Sequence, residues 1–270
     1  MIIDSHVHIG RWIGDDSLEK IIESALKNDI DILLVSSLGE YGYIVYPTVD
    51  EFIKANNCVL EAIEKFPDNI KGICFVNPQY PRESISEIER CVASGMVGIK
   101  LWIAVKASDP SVEPIAEKAI ELDVPILQHA WYKMTGNMEN ESTPYDVAIL
   151  AKKYPELKIQ MSHLYGAGFR GIADIAPYPN IYVDTSGGEP EAGIIEFAVK
   201  EMGSERILFG SDAPGRGFAV QLGKVTGANI PEEFKEMLLS KNAIRIYNIN
   251  GSLGYNGEFS VGAKHLHHKR

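Results

Sequence analysis

The feature that most constrains the fold is a recurrence. Eight short runs of Ile, Val and Leu are each followed by a longer stretch patterned like an amphipathic helix. The runs cover roughly residues 2–7, 30–36, 70–76, 97–103, 124–129, 158–163, 181–185 and 207–210. Several are apolar throughout, as strands buried on both faces of a parallel sheet are. Ser17 precedes Leu18, Ile21, Ile22, Ala25 and Leu26, a helix cap followed by an i, i+3, i+4 stripe. Similar stretches cover 48–65, 82–93, 112–122, 144–154, 191–202 and 231–247, with a shorter one at 171–176. Eight strand-then-helix units predict an α/β fold, a (β/α)8 TIM barrel. A doubly wound open sheet is the runner-up, but no G-x-G-x-x-G follows the first strand.

The length of 270 residues suits that barrel, which typically needs about 250 residues. No linker divides the chain, so one barrel is expected over residues 1–250. A C-terminal extension follows at 251–270, and its His-rich KHLHHKR end is set aside. Lys and Arg number 26 against 37 Asp and Glu, a net charge of -11, which disfavours a nucleic-acid partner. The three cysteines are widely spaced and form no C-x-x-C, which fits a reducing cytoplasm rather than a disulfide framework. No signal-peptide pattern and no membrane-length apolar run is present. The expectation is a cytoplasmic protein acting on a small molecule; a homodimer is an assembly that barrels of this kind often adopt.

Four of the seven histidines lie outside the terminal tail, and all four fall at strand ends. His6 and His8 end the first run, His129 the fifth and His163 the sixth, and Asp212 follows the eighth. Alternation along a strand puts His6 and His8 on one face, with Asp4 expected beside them as an orienting or structural group. A barrel builds its active site from the C-terminal ends of its strands. A lone H-x-H is a weak signal; the later residues give it weight. His6, His8, His129 and Asp212 are the candidate metal ligands, a set that suits a divalent ion, zinc first, with manganese or iron as alternatives. Such an ion makes hydroxide available near neutral pH. Asp212 is the candidate proton carrier, and His163 the candidate catalytic group that stabilises charge on the substrate oxygen or acts as a second ligand.

The segments IIDSHVH, GIKLW, QHA, SHLYG, LFGSD and KNAIRIYNI together resemble the amidohydrolase superfamily over about residues 1–250. The resemblance is to its amidohydrolase-2 branch, related to aminocarboxymuconate-semialdehyde decarboxylase. It implies a one-metal site at His6, His8, His129 and Asp212, with His163 in catalysis. Lys100, in GIKLW, would bridge a second metal only if carboxylated; otherwise it points a charge at the substrate or simply lies along the barrel rim. Metal nucleases sharing H-x-H carry a Glu near the fourth strand, which this chain lacks there. Phosphoesterases of related pattern use more histidines than it has.

Candidate substrate-binding residues are Lys100, Trp102, Arg11, Arg216 and Trp131, with Trp12, Tyr132 and Tyr165 also near strand ends. The tryptophans suggest a flat or cyclic substrate, and the arginines a carboxylate. Two reactions use the same ligands. One is hydrolysis of a C–O or C–N bond in a lactone, ester or amide, which is favoured; the other is decarboxylation of an aromatic or unsaturated acid. A barrel that binds metal or ligand without turnover is the remaining reading, and an intact Asp212 and His163 argue against it.

Overall fold

A computed structural model describes residues 1–13 and 17–249 of the chain; the expected extension at 251–270 lies outside them. Eight parallel strands follow one another in sequence order: β1 (Ile3–His8), β2 (Ile32–Ser36), β3 (Ile70–Phe75), β4 (Gly98–Leu101), β5 (Ile126–Gln128), β6 (Ile159–Met161), β7 (Ile181–Asp184) and β8 (Ile207–Leu208). The ring closes just beyond β8. Ser5 N–H donates to the Phe209 carbonyl at 2.9 Å, Asp212 N–H to that of His6 at 2.8 Å, and His8 N–H to that of Ala213 at 2.7 Å. The expected (β/α)8 barrel is borne out.

Helices α1 (Ser17–Lys27), α2 (Val49–Lys65), α3 (Pro81–Ala93), α4 (Glu113–Glu121), α5 (Pro144–Lys153), α6 (Leu164–Ile175), α7 (Ile194–Met202) and α8 (Phe218–Thr226) follow their strands in turn. Capping boxes start α2, at Thr48 and Glu51, and α5, at Thr143 and Asp146, where each pair satisfies two otherwise free N–H groups. The 231–247 stretch, expected as one helix, is α9 (Glu232–Glu236), a π-turn over Met237–Lys241, and α10 (Asn242–Ile246). The outer strand faces and the helices share one large apolar core, whose side chains each contribute about 1.5–3 kcal/mol on burial.

Inside the barrel the two ends differ. Ile3, Ile32, Leu34, Ile73, Leu127 and Leu208 fill the N-terminal end, and Ala243, Ile246 and Tyr247 plug it from below. Gly98 admits that plug, since a Cβ there would stand 2.9 Å from the Tyr247 ring. The C-terminal end is polar. In β1 the switch needs a bulge: Ile3 pairs with Ile32, but His8 pairs with Ser36, one residue more on β1 than on β2. The extra residue between Asp4 and Val7 lets Ile3, in the apolar floor, and His8, at the mouth, both face inward.

Candidate active site

His6 and His8 meet at the mouth, their Nε2 atoms 3.1 Å apart. Asp212 Oδ1 lies 3.7 Å from the first and 3.4 Å from the second. His6 is anchored behind by Asp184, whose Oδ2 stands 3.0 Å from Nδ1. An ionised carboxylate only accepts, so in the neutral ring Nδ1 carries the hydrogen and Nε2 keeps its lone pair. His8 Nδ1 meets the Ser36 hydroxyl at 3.0 Å, and burial and then the nearby His6 push its pKa well below the usual histidine range. Two imidazole nitrogens and a carboxylate thus converge on one point. Donors bound at about 2.1 Å to one ion stand about 3 Å apart, so this N2O set fits a divalent metal.

Asp184, at the end of β7, escaped the sequence reading and organises the site. Its Oδ2 also accepts from Gln160 Nε2 at 2.9 Å, and its Oδ1 from the backbone N–H of His163 and of Ser186, each at 3.0 Å. Burial raises its pKa, but the neighbouring His6 and these donors outweigh it and hold the group below the usual carboxylate range. Gly210 makes room: a Cβ there would stand 2.9 Å from Asp184 Cβ and 3.1 Å from His6 Cβ. A second donor set, His6, His163 and Asp184, lies within the same range, but His6 Nδ1 and Asp184 are bonded to each other and the His163 ring nitrogens face Ser186 and His129.

His163 and His129 form a second pair. His129 Nδ1 and His163 Nε2 are 3.1 Å apart, His163 Nδ1 meets Ser186 Oγ at 2.8 Å, and His129 Nε2 meets Glu141 Oε1 at 2.8 Å. The structure therefore leaves His129 outside the three-residue convergence on Asp212. Burial lowers the pKa of His129 to about 4 and that of His163 well below the histidine range. Glu141, buried in the loop after β5, also pairs with Lys133 at 2.7 Å. Burial opposes its ionisation, yet the hydrogen bonds from His129 and Lys133 hold its pKa at about 2. His163 and Asp212 both carry left-handed backbone, φ 74° and 63°, a conformation costly for such residues and common where side chains are aimed at a site.

Lys100 is wholly buried, its ammonium 3.3 Å from His6 Nε2 and 3.4 Å from Ser162 Oγ. Burial lowers its pKa to about 8, against the pull of Asp212 and Asp184. Asp4 does not stand free beside the histidines: its Oδ1 accepts from the N–H of His6 at 3.1 Å and of Ser211 at 2.9 Å. It ties β1 to the segment after β8, and burial raises its pKa to about 7. Tyr43, after β2, packs edge-on to His8, Trp12 and Trp102, with ring centroids 5.2–5.6 Å apart. Trp131 lies 4.8 Å from the His163 ring. Arg11 is turned to the rim, held by Glu40 at 3.1 Å and Glu61 at 2.7 Å. Arg216 is exposed, and its charge acts on Asp212.

The family model described as Amidohydrolase matches residues 3–249. The chain belongs to the amidohydrolase family. This amidohydrolase is 27% identical over 198 residues to 2-keto-4-carboxy-3-hexenedioate hydratase from Sphingobium sp. strain SYK-6, covering 59% of the chain and 57% of that relative. Its fold resembles that of 2,6-dihydroxybenzoate decarboxylase solved with 2,6-dihydroxybenzoate, with a TM-score of 0.75 and 18% identity over 93% of this chain and 99% of that one. It also resembles a dihydroxybenzoic acid decarboxylase from Polaromonas sp. JS666 solved with manganese and 2-nitroresorcinol, with a TM-score of 0.72 and 19% identity over 92% and 97%. Among the described residues no helix is long and apolar enough to cross a membrane.

Proposed function

We propose that this amidohydrolase-family enzyme is a metal-dependent lyase that removes CO2 from a small aromatic or unsaturated carboxylic acid. The observation that carries the reading is Lys100: a fully buried ammonium beside His6, with no carboxylate at ion-pair distance among the described residues. Such a charge calls for an anionic partner, and a substrate carboxylate supplies one. His6, His8 and Asp212 would hold the metal, zinc or manganese, with His129 a further ligand once its ring leaves Glu141. When bound, the ion supplies Lewis-acid polarisation of the substrate.

The rest is the work of the chain. Asp212 is the proton carrier of this reading: it takes up a proton from solvent as the substrate enters and donates it to the carbon bearing the carboxylate. The C–CO2 bond then breaks, its electron pair returns to the ring or alkene, and CO2 leaves. His163, held by Ser186 and His129, stabilises charge on the substrate, while Trp102, Tyr43 and Trp131 offer flat walls.

A second reading is attack by water, as hydration of a carboxylate-bearing alkene or as the hydrolysis expected at first. The H-x-H and Asp212 cluster suits water activation, and the Sphingobium relative is a hydratase. The test loads the protein with manganese or zinc and offers hydroxybenzoates, unsaturated tricarboxylates, lactones and amides. Release of CO2 from a hydroxybenzoate, lost about 10²–10⁴-fold in Asp212→Asn, is the expected result. Acid release from a lactone or amide without CO2, or hydration of the alkene, favours the water reading instead.

A further inference from the structure

Helix α8 carries Lys224 to the loops after β6 and β7. Its ammonium donates to the Gly188 carbonyl at 2.8 Å and lies 3.7 Å from the centre of the Tyr165 ring. Both anchors adjoin the reacting centre. Tyr165 is two residues past His163, its N–H donates to the Ser186 carbonyl at 3.2 Å, and Gly188 is two residues past Ser186, which holds His163 Nδ1. Lys224 is only 6% exposed, yet among the described residues no carboxylate stands at ion-pair distance from it. Asp184, Glu189 and Asp212 act on it only from further away, and Asp184 is already engaged by His6, Ser186 and Gln160. Arg216 opposes it as a like charge, and its guanidinium also has no ion-pair partner among the described residues.

Two other partly buried cations are satisfied differently. Arg206 donates to the carbonyls of Met202, Ala176 and Tyr178, and Lys133 pairs with Glu141. Lys224 has one carbonyl and an aromatic face. Keeping an ammonium largely desolvated, with no counterion in contact, costs free energy that an incoming anion recovers. We propose that Lys224 and Arg216 form a clamp beside the histidine cluster for a second carboxylate of the substrate, which makes small dicarboxylates the preferred substrate class. The clamp rests on the reading that Lys100 faces a first carboxylate. It assigns the two charges to opposite ends of one ligand.

The test measures binding of benzoate and of the three benzenedicarboxylates to manganese-loaded protein by titration calorimetry. At least one dicarboxylate should bind tenfold or more tightly than benzoate. Lys224→Met should abolish that preference and leave benzoate affinity within twofold. If Lys224→Met fails to fold, Arg216→Met, at an exposed position, should reduce the preference at least threefold. A preference that survives in these variants, or an equal loss of benzoate affinity, overturns the clamp. If benzoate binds and no dicarboxylate is preferred, the clamp falls while the carboxylate reading stands; if no carboxylate binds at all, both fall.

Discussion

His6 and His8 meet at 3.1 Å through Nε2 atoms, and His129 and His163 meet at the same distance through Nδ1 and Nε2, yet the two pairs are anchored for different work. Behind the first stand Asp184 and Ser36, and in front of it Asp212 closes on both Nε2 atoms, with the Lys100 ammonium 3.3 Å from that of His6. Behind the second stand Glu141 and Ser186, and among the described residues no carboxylate closes on its junction. The first pair therefore gathers acceptors around a point that needs a cation. The second needs one shared proton. Residue type and depth are alike; the partner on the far nitrogen sets the task.

The contrast between the pairs sets an order of expected effects. The largest effect is expected from Asp184→Ala, since Asp184 links the pairs. Removing it leaves the backbone N–H groups of His163 and Ser186 without their acceptor and strips His6 Nδ1 and Gln160 of a charged partner, leaving them Ser186 and Ser5, and should cost about 3–5 kcal/mol in urea denaturation of the metal-free protein. A cost near zero would sever the proposed link. Glu141→Gln comes next, at about 1–3 kcal/mol, because it leaves Lys133 and His129 with a weaker partner. Metal content should not fall, since His6, His8 and Asp212 are untouched and His129 is freer to join them; metal loss in that variant would show that the first pair depends on the anchor of the second.

The charge of Lys224 gives a pH test. Burial, and then the like charge of Arg216, lower the pKa of Lys224 to about 8. The ammonium is present below that pH and lost above it. Preference for a benzenedicarboxylate over benzoate should therefore fade as pH rises through about 8, and Lys224→Met should show no such trend. The smallest effect is expected for Tyr247→Phe. Its hydroxyl donates to Gln160 Oε1 at 2.8 Å, and Gln160 in turn holds Asp184. Losing that bond should cost about 1 kcal/mol by thermal unfolding, with the metal retained.

Most of the barrel was legible because apolar strands and amphipathic helices carry strong periodicity. Each of the eight runs holds a strand, though β8 keeps only Ile207 and Leu208 of the run at 207–210. The lost residues turn into the loop that aims Asp212. Helix α8 went unread because FAVQLGKVT mixes β-branched residues with Gly223 and gives a weak helical signal. Lys224 was missed with it. The four histidines and Asp212 were visible from their positions at strand ends. Asp184 obeys the same rule, in IYVDT, and could have been found by applying it to the seventh run. Glu141 could not, since a loop carboxylate has no periodicity to mark it. Strict alternation also placed Asp4 beside the histidines, and only the β1 bulge shows how the chain changes phase.

The most direct measurement of the metal centre is elemental analysis of purified, dialysed protein by mass spectrometry, comparing His6→Ala, His8→Ala and His163→Ala with the unmodified chain. The unmodified chain and His163→Ala should each retain a single manganese or zinc ion, and His6→Ala and His8→Ala should retain almost none. A chain that holds no metal, or a His6→Ala variant that keeps its metal while His163→Ala loses it, would contradict the assignment of the ion to the His6 and His8 pair.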